Sequence, residues 1–128
     1  MALIVLDASV VIAHLTSGDA LHRSATAYLD EHAGDDLRLP ASAYAEVLVG
    51  PARAAQIGPV RDSLAEIGVV VETLTPEIAE RAAAVRSDHR GMRLPDALVL
   101  ATGAVLDADE IVTADRRWRR FDRVHVLR

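Results

Sequence analysis

LPDALVLATGAVLDADEIVTAD, residues Leu94–Asp115, decides the fold. From Asp96 to Leu106 apolar side chains occur on nearly every side of a helical wheel, so a helix here has to be covered all round. Glu110 to Thr113 then reads as a short strand of largely β-branched residues. A buried helix that opens on Asp96, followed by a strand that stops on Thr113 and Asp115, sets two acids at the ends of central elements. Asp107 and Asp109, which lie between them, read as turn residues.

The chain on either side repeats this alternation. Ala2 to Leu6 is a continuous apolar run, as expected of a parallel strand covered on both faces, and it stops at Asp7. Ala8 to Leu15 turns helical with Ser9 placed to cap it, and Leu21 to His32 is a second helix. Leu37 to Leu39 forms a strand closed by Pro40. Ala41 to Val49 forms a helix closed by Gly50 and Pro51, and Ala52 to Ile67 another with a break at Gly58 and Pro59. Val69 to Thr73 is a strand, Pro76 opens a helix to about Asp88, Arg116 to Arg120 makes a helical turn, and Val124 to Leu127 is the last strand. Strands alternating with helices, with no repeats or low-complexity linkers, predict a single α/β domain over residues 1–128: a three-layer α/β/α sandwich around a mainly parallel sheet of about five strands.

Composition narrows the chemistry. Half the chain is hydrophobic (51%) while aromatic residues make up only 3%, so the core is aliphatic and base stacking is a poor mode of recognition. No cysteine is present, which leaves oxygen and imidazole as metal donors. No run approaches the ~20 apolar residues of a membrane helix, and a cytoplasmic protein is expected. The net charge of -5 argues against binding a polyanion. Its distribution argues the other way, because all 14 basic residues are arginine and Arg116, Arg117, Arg119, Arg120 and Arg123 crowd the end of the chain. Arginine offers phosphates a planar fork.

In open α/β sheets ligands gather where strands end and helices begin. Asp7 ends the first strand, Asp115 follows the strand at Glu110 to Thr113, and Asp96 sits at the positive end of a helix dipole. Each alone is explained by capping or an Asx turn. Glu46 has mostly apolar neighbours and, if buried, needs a partner or a metal. Taken together with the hydroxyls of Ser9 and Thr113, these carboxylates suit Mg²⁺ or Mn²⁺, and a metal-activated water acting on a phosphodiester.

Asp7 in LIVLDASVVIA, Glu46 in ASAYAEVL, Asp96 in RLPDALVLATG and Asp115 in IVTADRRW resemble, in order, spacing and context, the PIN-domain ribonucleases, specifically the VapC toxins of toxin–antitoxin pairs. The likeness spans essentially the whole chain. It implies an acidic quartet of Asp7, Glu46, Asp96 and Asp115 as metal ligands and catalytic groups, with Ser9 and Thr113 supporting them. It also implies a Mg²⁺- or Mn²⁺-dependent endoribonuclease, a homodimer, and an antitoxin that blocks the site. Arg116, Arg117, Arg119 and Arg120 are candidate contacts to the RNA backbone. His22 falls where many relatives carry histidine, and packing explains it.

Other readings fit less well. A phosphate-accepting signalling domain wants a lysine, and the chain has none. An aspartyl phosphatase wants an acid at position 9, which is Ser9. Neither GxGxxG nor GxxxxGK nor GxSxG occurs. The rival that stays open is a PIN-like module that binds RNA or protein without cleaving it. A DNA-directed nuclease of the wider superfamily would be expected to carry larger insertions.

Overall fold

Short runs of Val, Ile and Leu with little polar alternation suit strands covered on both faces, as Leu3–Leu6 is here, whereas the edge run at Val69–Glu72 leaves Val70 and Val71 exposed. The computed structural model describes residues 1–128. Strands β1 (Leu3–Leu6), β2 (Asp36–Pro40), β3 (Val69–Glu72), β4 (Glu110–Thr113) and β5 (Val124–Val126) form one sheet in the order β3-β2-β1-β4-β5. Every neighbouring pair is parallel. The helices are α1 (Ala8–Leu15), α2 (His22–Glu31), α3 (Ala41–Arg53), α4 (Ile57–Glu66), α5 (Pro76–Asp88) and α6 (Leu94–Val105), with a 3₁₀ helix at Arg116–Arg120.

The chain leaves β1 for β2 and β3 on one side, then returns past β1 to β4 and β5 on the other. Parallel crossovers are right-handed almost without exception. The reversal therefore lays α1 to α4 on one face and α5 and α6 on the opposite face, the three-layer α/β/α arrangement expected from the sequence. It also creates a crevice between the carboxyl ends of β1 and β4, where connections depart in opposite directions.

One cluster of 28 buried hydrophobic residues fills both inter-layer spaces. Ile4, Val5 and Leu6 are fully buried, as the uninterrupted run required. In α6, Ala97, Val99, Leu100, Ala101, Thr102 and Gly103 are all buried, and Thr102 satisfies its hydroxyl by donating to the Leu98 carbonyl at 2.7 Å. No helix is long and apolar enough to cross a membrane.

Three boundaries differ from expectation. The helix α6 opens at Leu94, so Asp96 is its third residue rather than its first; Pro95 is tolerated because first-turn N–H groups lack helical partners anyway. Gly50 and Pro51 do not close α3, which runs on to Arg53. Pro51 forfeits one N–H in the last turn, while its carbonyl still accepts from Gln56 N–H at 2.7 Å. The break comes at Ala54–Gln56, with Ala55 at a φ of 55°, and Pro59 lies within the first turn of α4, where it does no harm.

Gly103 marks the closest approach of α6 to the sheet. A Cβ built there would stand 2.4 Å from Ile111 Cδ1 and 2.6 Å from Ile111 Cγ1. Alanine gains up to about 1 kcal/mol over glycine in helix propensity, but overpacking a filled core loses roughly 1–3 kcal/mol. Gly103→Ala is expected to lower stability in a denaturant titration, and Gly103→Ala with Ile111→Val to recover part of the loss.

Candidate active site

Asp7 leaves β1 in extended conformation and its N–H donates to the Val112 carbonyl at 2.9 Å, which stitches the carboxyl ends of β1 and β4 together. Its Oδ2 accepts two hydroxyl protons, from Ser9 Oγ at 2.6 Å and from Thr113 Oγ1 at 2.8 Å. Each hydroxyl in turn accepts a backbone N–H: Ser9 Oγ from Ala114 at 3.0 Å, and Thr113 Oγ1 from Asp115 at 3.0 Å. A hydroxyl has one proton, so a backbone donor on its lone pair leaves that proton free to aim at the carboxylate. Asp7 Oδ1 keeps no protein partner.

Ser9 was expected to cap α1. Asp7 occupies the N-cap position instead, without a side-chain capping bond, and Ser9 is turned to the carboxylate and to a segment 105 residues away. Thr113 is fully buried, so its hydroxyl depends entirely on these two partners.

Asp96 and Glu46 converge on the same edge. Burial raises the pKa of Asp96, then the charge of Asp7 adds to it, against the opposing pull of Arg93. Glu46 is raised by desolvation of its carboxyl and by Asp7 and Asp96, but the residue is exposed, so it is not the buried charge that its apolar neighbours suggested. Burial of Glu46 was the condition under which a partner became necessary. What marks it out in the structure is the company of two like charges.

Asp115 behaves differently. Its side chain caps the 3₁₀ helix by accepting from Arg117 N–H at 2.9 Å, and the Arg117 guanidinium grips it through Nε at 3.0 Å and Nη2 at 2.7 Å. These bonds hold its carboxyl below the usual range. Asp115 is close enough to raise Asp96, but it is already paired. Asp107 and Asp109 stand at the opposite, amino edge of the sheet: Asp107 pairs with Arg123 at 2.7 Å and Asp109 accepts from Leu3 N–H at 2.8 Å. Reading them as turn residues agrees with this placement. His22 packs as expected, its Nδ1 meeting the Ala13 carbonyl at 2.9 Å.

As placed, no three His, Asp or Glu side chains converge tightly enough to hold a metal ion by themselves. The donor chemistry nevertheless fits a hard divalent cation: Asp7, Glu46 and Asp96 form no ion pair with any arginine or histidine, Asp7 has a free oxygen, and burial, then like charges, raise Glu46 and Asp96.

The four C-terminal arginines divide by the phase of the 3₁₀ helix, in which residues three apart share a face. Arg117 and Arg120 turn toward Asp96. Arg116 and Arg119 face a larger recess of about 1100 Å³ between α2 and β5, beside Tyr28 and His125, which contains none of the four acids. Sequence reasoning missed Arg90 and Arg93, which join Arg117 and Arg120 on the Asp96 side; the signal was the RGMR stretch directly before LPD.

The family model of the PIN domain matches residues 4–124. A comparison with curated protein sequences returns no match. Among solved structures, a toxin–antitoxin complex from Klebsiella pneumoniae superposes with a TM-score of 0.81 at 25% identity, over 96% of both chains. VapC20 of Mycobacterium tuberculosis, a sarcin-ricin loop cleaving toxin, gives 0.72 at 20% identity over 98% of this chain and 99% of its own. VapBC2 of Rickettsia felis, solved with a fragment of promoter DNA, gives 0.75 at 12% identity over 98% and 99%. The last two likenesses establish the shared fold.

Thr113→Val is nearly isosteric, but strips one donor from Asp7 and the acceptor from the Asp115 N–H. A loss of about 1–3 kcal/mol is expected in chemical denaturation. Asp96→Asn should act in the opposite sense. A carboxyl whose folded pKa is raised binds protons more tightly in the folded state, so the wild type loses stability as pH rises from the ordinary aspartate value through the folded one. The favourable helix dipole at Asp96 is the smaller effect, given the net upward shift. Metal-free Asp96→Asn is therefore expected to melt roughly 2–4 °C higher at pH 7, the equivalent of about 1 kcal/mol, with the gain vanishing at acid pH.

Proposed function

Because the chain belongs to the PIN domain family, we propose that it is a single-domain, metal-dependent endoribonuclease, the VapC-type toxin of a toxin–antitoxin pair. The observation that carries this reading is the meeting of Asp7, Glu46 and Asp96 at the carboxyl edge of the sheet, with Glu46 and Asp96 raised by burial and then by neighbouring like charges, and neither held in an ion pair. Uncompensated carboxylates oppose folding unless a cation joins them.

Asp7, Glu46, Asp96 and Asp115 would hold Mg²⁺ or Mn²⁺, which when bound supplies a water of lowered pKa and steadies charge on the phosphate. Asp7 is the fixed member, since two hydroxyls orient its carboxylate and leave Oδ1 free. Asp96 lies at the positive end of α6, where an anion is favoured. Glu46 stands on the exposed flank, open to solvent. Asp115 joins the set only if Arg117 lets go of it. That pairing is the one feature favouring the rival reading, a module that binds RNA or protein without cutting.

The Klebsiella neighbour, a toxin–antitoxin complex at 25% identity, supports a cognate antitoxin as protein partner; we propose that it blocks the acidic edge. A homodimer working in the cytoplasm belongs to the same reading.

Purified antitoxin-free protein, incubated with total RNA and Mg²⁺ or Mn²⁺, is expected to produce discrete cut ends. Asp7→Asn, or EDTA with the wild type, should abolish them. Cutting that persists under either condition excludes the carboxylate–metal mechanism, and intact RNA in every arm leaves the binding module.

A further inference from the structure

A recess of about 260 Å³ opens beside the acids, between the α5–α6 loop and the 3₁₀ helix; its rim carries Arg90, Arg93, Arg117 and Arg120, and Asp96 closes one end. Its lining sets four guanidiniums against one carboxylate, on a protein whose net charge is -5. Arg90, Arg93 and Arg120 form no ion pair; Arg120 donates through Nη1 to the Arg117 carbonyl at 3.3 Å and lies over the Phe121 ring, its guanidinium carbon 4.7 Å from the centroid.

The walls are fixed from behind. Arg86 Nε donates to the Met92 carbonyl at 2.8 Å, and His89 meets Phe121 edge-on at 5.0 Å, which ties the loop to the 3₁₀ helix. Met92 and Trp118 are buried. The recess is smaller than the ~300–1,000 Å³ of sites that enclose whole small molecules, and it is lined with forks suited to phosphate. A duplex keeps its phosphates on a stiff convex surface, whereas a single strand can bend one into a hollow.

From this geometry we infer that Arg90, Arg93, Arg117 and Arg120 form a subsite for one backbone phosphate of single-stranded RNA, next to the phosphodiester that is cut. The inference rests on the nuclease reading for its substrate, and it excludes Arg116 and Arg119, which stand on the other side of the 3₁₀ helix. Arg117 has two partners available, Asp115 and the incoming phosphate. The subsite is a positioning device: it holds the strand and takes no part in bond breaking.

The test compares two paired variants in metal-free buffer, where nothing is cut, using a labelled single-stranded oligoribonucleotide and anisotropy across a salt series. Arg90→Gln with Arg120→Gln spares both Asp115 and the start of α6; Arg116→Gln with Arg119→Gln removes the same charge from the other face. Each single-strand phosphate contact adds about 0.7 to the slope of log K against log salt. The first pair should weaken binding on the order of tenfold and lower the slope by about 0.7, the contribution of one phosphate; the second should change affinity less than about twofold. Equal losses from both pairs, no loss from the first, no binding by the wild type, or equal affinity for duplex RNA of the same length overturns the subsite. Cleavage by the wild type with Mg²⁺, scored separately, distinguishes this failure from failure of the nuclease reading. Active protein with an unaltered KM in the first pair sinks the subsite alone, whereas selective binding without cleavage sinks the nuclease alone.

Discussion

Two hydroxyl protons on one carboxylate oxygen organise the working edge of this protein. Ser9 and Thr113 both donate to Asp7 Oδ2, and backbone N–H groups at Ala114 and Asp115 occupy the hydroxyl lone pairs behind them. The result is a relay of alternating donors and acceptors that no one element could supply. It needs the end of β1, the first turn of α1 and the exit from β4 within hydrogen-bond reach of one another. The parallel register that places Leu6 beside Val112 delivers that.

Around this fixed point the charges are arranged in opposition. Glu46 and Asp96, raised by burial and then by the charge of Asp7, sit beside arginines of which only Arg117 is locked in an ion pair, with Asp115. This arrangement lowers the stability of the empty protein and readies it for ligands of both signs. Charges already satisfied by each other would fold more readily and bind less.

Much of the scaffold was legible from residue order. The runs ALIVL and ALVLATG could be buried strand and buried helix and little else, and a parallel sheet with crossovers then followed. The acids were legible as a set because parallel strands share one carboxyl edge. Other features depended on partners too distant in sequence to be seen. Ser9 has the position and chemistry of a helix cap, and only Ala114 arriving from the far end of the chain turns it elsewhere. Pro51 looks like a stop, but a proline in a last turn forfeits a single bond. The cluster Arg116 to Arg120 reads as one patch until three-residue periodicity splits it between two faces. Glu46 was singled out for an apolar neighbourhood, whereas the residue is exposed and its carboxyl feels the charges of Asp7 and Asp96.

The central place of β1 also dictates when the site can exist. It is the first strand made, yet it pairs with β4, whose Thr113 lies 106 residues from Asp7. A chain emerging in order can pair β1 with β2 early, but the other side of β1 and the second hydroxyl on Asp7 come only when nearly all of it is available. Contacts so distant in sequence are slow to close. The second hydroxyl on Asp7 is therefore in place only once β4 has paired with β1.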